Sequence, residues 1–415
     1  MSDDAHGLVE AAAATAGRAT TAMARASEDQ IARALGVIAA RLNSEAASLL
    51  VANKEDLADA QGVLSTGSLD RLRLDDVRLA GIARQVRALA GLPPLERVVG
   101  RRVLDNGLVL EERRIPVGVI GANYEARPNV TVDFATQLVK SRNAGVLRTG
   151  GASLRSAEAL VDLVVGPGLA DAGLPPEAIQ LVRTPAREAA EALVSFPKAI
   201  PLVIIRGSGA TTARLARLAA DRGVRTLAHA EGGGVLYVER EADSSMALNL
   251  IETSLDRLGV CNRLNLLLVD EAIWESFLPQ VLTRLATLGI RASLPPHDHP
   301  VGYEWANDPE HDATVTVART DGPEAAARLA SEETSGLAAA IVTQDAATAG
   351  RFIDAYRGTG AFWNASTRWL DGFELTAAPE TGINVDRVPG PRGPVTYRDL
   401  YLRQYAVTGD GTQHR

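Results

Sequence analysis

Upstream of Pro93–Pro94, apolar residues recur at the three- and four-residue spacing of amphipathic helices. IARALGVIAARL follows Ser27-Glu-Asp-Gln30, a serine with a glutamine three places on that has the form of a capping box. SEAASLLVANKEDLADAQ and DDVRLAGIARQVRALAG continue the helical pattern until the proline pair ends it. The rhythm then becomes that of strands. VVGRRVL and LVLEERRI flank Asp105-Asn106-Gly107, and Asn-Gly is a strong hairpin signal because both residues tolerate positive φ. Such a ribbon leaves strand edges that a partner subunit is expected to cover.

From Ile115 onward strand and helix alternate. PVGVIGA precedes VTVDFATQLVKS, AGVLRT precedes SAEALVDLVV, and PLVIIRG precedes TTARLARLAADRG, with VRTLAH and GGVLYVE next. After Cys261 a second series opens with LNLLLVD and runs through ATVTVAR and LAAAIVTQD to AFWNAS, again with helices between. Apolar strands alternating with amphipathic helices predict parallel sheets joined by right-handed crossovers. Two such series predict two doubly wound α/β domains, divided near residues 257–259.

Composition narrows the class. The 415 residues are 46% hydrophobic and 23% charged, which suits a soluble chain of more than one domain. Aromatics are only 4%, and small aliphatic residues of the kind that pack helices on a sheet take their place. A formal charge of −8 argues against a non-specific nucleic-acid or membrane-surface binder. No signal peptide or membrane-length apolar run is recognisable. One cysteine precludes an internal disulfide and fits a reducing cytoplasm.

That cysteine is also the first candidate for chemistry. Cys261 lies in Gly259-Val-Cys-Asn262, a loop at the join of the two series, where ligand clefts tend to form. A thiolate attacks acyl carbon well, although a lone cysteine also serves as a small buried hydrophobe. Its glycine and asparagine neighbours are poor company for a core residue. A second candidate is the strand–turn–helix Gly118 to Asn129. Its helix N-terminus can hold an anion, Asn129 can donate to an oxyanion, and Arg127 can pair with carboxylate or phosphate. Pro128-Asn129 reads equally as an ordinary helix start.

Two glycine turns, Arg148-Thr-Gly150-Gly151 and Arg206-Gly207-Ser208-Gly209, are suited to dinucleotide phosphates or are merely tight connections. Neither is the GxGxxG fingerprint, so a dinucleotide would not lie in the usual Rossmann pose. Arg368, in Asn364-Ala-Ser366-Thr367-Arg368, can hold a substrate carboxylate or sit at the surface. His297 and His299, with no acidic or cysteine cluster at metal spacing, read as solvated loop residues, and no metal is expected.

In order along the chain, YEARPNVTVD (Tyr124 to Asp133), the NAxxLR turn, the RG turn, the Cys-Asn pair before LLLV, NASTR and a late RGP resemble the γ-glutamyl phosphate reductase family of the aldehyde dehydrogenase superfamily. The resemblance runs from about Ala11 to Gly409. It implies an aldehyde dehydrogenase-like subunit: a cofactor domain over 1–257 interrupted by the hairpin 97–114, a catalytic domain over 258–380, and an oligomerisation flap formed by 97–114 with 381–415. It implies Cys261 as nucleophile, and Asn129 with the Cys261 amide as oxyanion hole. Arg148, Gly150, Gly151, Arg206, Gly207 and Ser208 then fall where NADPH is bound. Arg127, Asn262, Asn364, Ser366, Thr367 and Arg368 fall on the substrate side.

The reaction so implied is reduction of an acyl phosphate, γ-glutamyl phosphate or a close analogue, through a cysteine thioester. An amino-acid kinase would supply the substrate, and the enzyme would be a cytoplasmic homo-oligomer of proline biosynthesis. Where oxidising relatives carry a water-activating glutamate, the LAHAEGGG segment places Ala228, with Glu231 three residues on. The alternatives are a CoA-acylating or oxidising aldehyde dehydrogenase, or a catalytically silent paralogue.

Departures from the family pattern surround the site. Leu258 replaces a proline, Arg263-Leu-Asn265-Leu replaces Ala-x-Glu-Thr, Gly234-Val235 replaces Cys-His, LTAAPE keeps only Glu380, and Arg142 stands for a glycine. Arg263 and Asn265 are expected to border the acyl pocket and make its wall more positive, favouring a modified substrate.

Overall fold

The computed structural model describes residues 2–207, 209–229, 232–308, 310–386 and 390–413. Two compact units emerge. The first comprises 1–228, 376–382 and 395–415, and the second 229–375 and 383–394. The division after Ala228 lies upstream of the break expected near 257, because the strand following the LAHAEGGG segment joins the second sheet.

The first unit opens with five helices: α1 (Ser2–Arg25), α2 (Glu28–Ser44), α3 (Ala46–Ala60), α4 (Thr66–Leu72) and α5 (Asp76–Gly91). The capping box forms in full: Gln30 N–H donates to Ser27 Oγ, and Ser27 N–H donates to Gln30 Oε1, both at 3.1 Å. Ile31, Leu35, Ile38 and Leu42 of α2 share one core cluster with Leu79, Ile82 and Val86 of α5, each worth roughly 2 kcal/mol of burial.

β1 (Val98–Val103) and β2 (Val109–Pro116) form the expected hairpin, but only Gly107 takes positive φ, at 84°. The Asn106 side chain instead accepts from Leu108 N–H at 3.3 Å, so one residue turns the chain and the other caps it. The free side of β2 pairs along its length with β16 (Tyr401–Thr408), closing an antiparallel three-stranded sheet.

The main sheet of this unit has the order β5-β4-β3-β6-β7, from β3 (Val119–Tyr124), β4 (Ala144–Thr149), β5 (Ile179–Leu181), β6 (Leu202–Arg206) and β7 (Arg225–His229). β3 is parallel to both β4 and β6, so the winding reverses between β3 and β6. Between β3 and β4 runs α6 (Pro128–Lys140), buried on nearly every side, the polar Thr131, Thr136, Gln137 and Lys140 included. Just beyond it Arg142 holds φ 60°, where the family pattern has glycine. Its left-handed backbone costs about 1 kcal/mol. The guanidinium offsets this by donating to Ala26 O at 2.9 Å and pairing with Glu28.

In the second unit a six-stranded parallel sheet has the order β10-β11-β9-β8-β12-β13. Its strands are β8 (Gly234–Val238), β9 (Leu264–Asp270), β10 (Arg291–Ser293), β11 (Thr314–Thr320), β12 (Ala338–Val342) and β13 (Gly360–Trp363). Helices cover both faces, which is why β8, β9 and β12 are buried at every position. A short ribbon, β14 (Gly382–Asn384) with β15 (Gly393–Val395), follows. Among the described residues, no single helix is long and apolar enough to cross a membrane.

Candidate active site

In an open parallel sheet, ligands collect at the carboxyl ends of the strands, near the point where the winding reverses. The first unit builds a cleft there. It measures about 510 Å³ and is lined by Asn123 at the end of β3 and Ala126 after it, Arg148 and Gly150-Gly151 at the end of β4, Pro185 and Arg187 after β5, and Thr211 and Arg214 on the helix after β6. The glycines are required by packing. A Cβ at Gly150 would lie 2.9 Å from the Ala126 nitrogen, and one at Gly151 would lie 2.9 Å from Pro185 Cβ.

Arg148 is buried at the base of this cleft. It donates to Asn123 Oδ1 at 3.4 Å and to Ala186 O at 3.1 Å, so it braces the 185–187 loop. Burial, then the positive charge of Arg187, pulls its pKa below the ordinary arginine value. Arg187 and Arg214 went unnoticed in the sequence because Arg187 sits on a loop without a glycine turn, and Arg214 lies within the helix that follows the Arg206-to-Gly209 turn rather than on the turn itself.

At the reversal point itself, Glu125 lies 2.8 Å from Arg127 Nε and 3.8 Å from Arg206 Nη2. Arg206 also donates to Thr381 O at 3.4 Å. Asn129, in the first turn of α6, donates from Nδ2 to Asp133 Oδ2 at 3.2 Å, which fixes the orientation of its amide. Ser208 and Glu231 lie outside the described residues.

The second unit holds Cys261 on the turn before β9, half-buried against Leu337, Ala338, Leu370 and Ile383. Its neighbour Asn262 is buried and draws in the NASTR segment. Asn262 Nδ2 donates to Arg368 O at 3.0 Å and to Leu370 O at 3.1 Å, while Thr367 Oγ1 donates to Asn262 O at 2.8 Å. Arg368 pairs with Asp256 at 2.7 Å and also reaches Asn262 Oδ1. Ser366 Oγ lies 2.7 Å from Ser254 Oγ. Asn364 adopts φ 51° and spans Thr343, donating to its carbonyl and accepting from its N–H. Two motifs far apart in sequence thus interlock: Thr367 and Arg368 hold the Cys261-Asn262 turn, while Asn364 and Ser366 bind Thr343 and Ser254.

On its other side the turn meets Gly232-Gly233-Gly234. A Cβ at Gly232 would lie 2.4 Å from Cys261 O and 2.7 Å from Cys261 Cβ. Gly233 N–H donates to Cys261 O at 2.7 Å and Gly234 N–H to Arg263 O at 2.6 Å. Glu304 and Ser335 hold Gly232 itself: Gly232 N–H donates to Glu304 Oε1 at 2.8 Å, and Ser335 Oγ donates to Gly232 O at 2.7 Å. Nothing in the sequence spacing marked these two residues.

Arg263 and Asn265 do not form a wall around an acyl chain. Arg263 is fully buried, donating to the carbonyls of Leu264, Asp312 and Thr314, and burial pushes its pKa down to about 10. Asn265 turns the other way along the sheet. It donates to Tyr303 O at 2.8 Å and accepts from Trp305 N–H at 3.0 Å. Nor are His297 and His299 solvated. Both are half-buried; His299 lies 2.7 Å from Ser293 Oγ and meets the ring of Trp305 edge-on. Among the described residues no cluster of three or more His, Cys, Asp or Glu is arranged to hold a metal.

Residues 3–302 match the model of the aldehyde dehydrogenase family. A γ-glutamyl phosphate reductase of Novosphingobium aromaticivorans is 36% identical, covering 99% of this chain and 97% of its own length. One from Bartonella quintana is 36% identical, covering 95% and 97%. The crystal structure of γ-glutamyl phosphate reductase from Thermotoga maritima superposes with a TM-score of 0.88 at 25% identity, over 98% of this chain and 100% of that one. An acetylating aldehyde dehydrogenase of Geobacillus thermoglucosidasius shares the fold, with a TM-score of 0.74 at 15% identity, over 100% of this chain and 99% of that one.

Proposed function

Because the chain belongs to the γ-glutamyl phosphate reductase branch of the aldehyde dehydrogenase family, we propose that it reduces an acyl phosphate, γ-glutamyl phosphate or a close analogue, to the aldehyde with release of phosphate. The observation that carries the reading is Cys261. It is the sole cysteine, half-buried on a turn that two separate segments, NASTR and the glycine run, hold in place. A packing residue needs no such framing.

In this reading the Cys261 thiolate attacks the acyl carbon, and phosphate leaves with its bonding pair, so no acid is needed to expel it. Asn129 Nδ2 and the Cys261 amide stabilise the oxyanion. NADPH, when bound, supplies the hydride that reduces the thioester. The arginine-lined cleft suits its adenosine end: Arg187 offers a cation to phosphate, with Arg214, paired to Glu191, beside it. Ala228 on β7 stands where oxidising relatives place the water-activating glutamate, which favours reduction of the thioester over its hydrolysis.

Since Arg263 and Asn265 face into the protein, they give no ground for an enlarged or more positive acyl pocket. An acyl phosphate is made by phosphoryl transfer to a carboxylate, which makes an amino-acid kinase the expected supplier. Exposed Val103, Leu402, Tyr405 and Val407 on the three-stranded flap suit burial against a second copy of the chain, and the lone thiol suits a reducing cytoplasm. The test is the reverse assay with glutamate semialdehyde. NADP reduction that requires inorganic phosphate supports the proposal, whereas dependence on coenzyme A, or on neither, refutes it.

A further inference from the structure

We propose that Glu304 is a positioning residue for the nucleophile, its carboxylate holding the Gly232 peptide against Cys261. The inference rests on the reading of Cys261 as nucleophile. Glu304 belongs to the loop between β10 and β11, and that loop is fixed on three sides. Asn265 grips the residues on either side of Glu304 through Tyr303 O and Trp305 N–H. Trp305 Nε1 donates to Thr316 Oγ1 at 2.9 Å. Gly302 packs so tightly that a Cβ there would lie 1.6 Å from Glu333 O.

The carboxylate is therefore presented at a set place, where it accepts from Gly232 N–H at 2.8 Å. Ser335 secures the carbonyl of the same residue. With both of its peptide groups held, Gly232 rests on the Cα and Cβ of Cys261 and leaves that backbone no room to shift. The sequence Asn265, Glu304, Gly232, Cys261 is continuous contact from the central strand to the reacting residue. It gives Asn265, which departs from the family pattern, a role in orienting the loop in place of a role at the acyl wall.

The chain has one thiol, so alkylation by iodoacetamide reads Cys261 alone. Glu304→Ala is expected to lower kcat on the order of tenfold, the equivalent of one hydrogen bond to a charged group, with KM for NADP unchanged. Alkylation of the free enzyme should rise by a similar factor as the covering turn loosens. Glu304→Gln keeps an acceptor oxygen and should restore both rates to within about twofold. If Gln is as impaired as Ala, or if Ala changes neither rate, the proposal is overturned. Should Glu304→Ala fail to fold, Ser335→Ala releases the other side of Gly232 and must shift the same two rates in the same directions. Alkylation needs no substrate, so its outcome is independent of whether the acyl-phosphate reading survives.

Discussion

Arg368 and Asp256 form an ion pair, with Nε 2.7 Å from Oδ1, and the same guanidinium reaches the side chain of Asn262. Asp256 is 58% exposed, so the pair with it is worth at most about 1 kcal/mol. Asn262 is buried, and losing its amide strands the carbonyls of Arg368 and Leu370. Asp256→Ala should therefore leave urea unfolding almost unchanged, while Asn262→Ala should cost about 2–3 kcal/mol. Equal effects would place the weight of the NASTR contact on the surface pair.

Cys261→Ser should abolish turnover while the thermal midpoint and NADPH affinity stay near those of the parent. The hydroxyl is far less acidic than the thiol but nearly isosteric with it. Turnover above a few per cent of the parent would remove the thiolate from the mechanism.

For Asn129→Ala a fall in the chemical step of ~10²–10³-fold is expected, as for the loss of one oxyanion donor. NADPH titration by fluorescence should be unaffected. Lost cofactor affinity with normal kcat at saturation would assign Asn129 to the cofactor instead.

Arg187 faces the cleft from a loop that Arg148 braces. Arg187→Ala should raise KM for NADPH about tenfold or more and leave kcat nearly constant, since a phosphate contact remote from the reacting carbon binds ground and transition states alike. NADH, lacking the extra phosphate, should be less affected if the contact is to that group. A fall in kcat without a change in KM would contradict the placement.

Burial, and secondarily the charge of His299, lowers the pKa of His297 below its ordinary 6.5. The unfolded chain thus takes up this proton at a higher pH than the folded one does. The stability linked to it is present above the ordinary value and is lost as pH falls through the depressed one. The thermal midpoint should drop as pH falls below about 6.5, and His297→Asn should flatten that drop. An identical slope in the variant would assign the acid sensitivity elsewhere.

The alternation of strands and helices was legible where the strands are continuous apolar runs, as in β3, β9 and β12, whereas the three-residue β5 and β10, with Gln180, Arg291 and Ser293, carry no such run. The capping box at Ser27 and the hairpin at Gly107 carried their own local chemistry, and both formed. Arg263 was misread for a physical reason. A charged side chain next to a nucleophile suggests a pocket wall, but this one precedes a central strand buried on both faces, and it donates inward to the carbonyls of Leu264, Asp312 and Thr314. Glu304 and Ser335 escaped notice because their work is on the backbone of Gly232, and backbone acceptors and donors have no residue pattern. Likewise, the division after Ala228 depends on which sheet β8 joins, a matter of pairing that periodicity does not encode.

The pairing of β2 with β16 also sets an order of events in synthesis. β1 and β2 are neighbours and can meet as soon as they emerge, but β2 then waits with one edge open until Tyr401–Thr408, far downstream in the chain, arrive to cover it. Until then, the ribbon presents a row of unpaired amides and carbonyls that any other nascent strand can capture. Arg113 and Arg114, on β2 itself, keep that waiting edge charged, which is the feature that discourages such capture. The flap is therefore complete only once that distant strand has been made, and any assembly that uses it must wait for it.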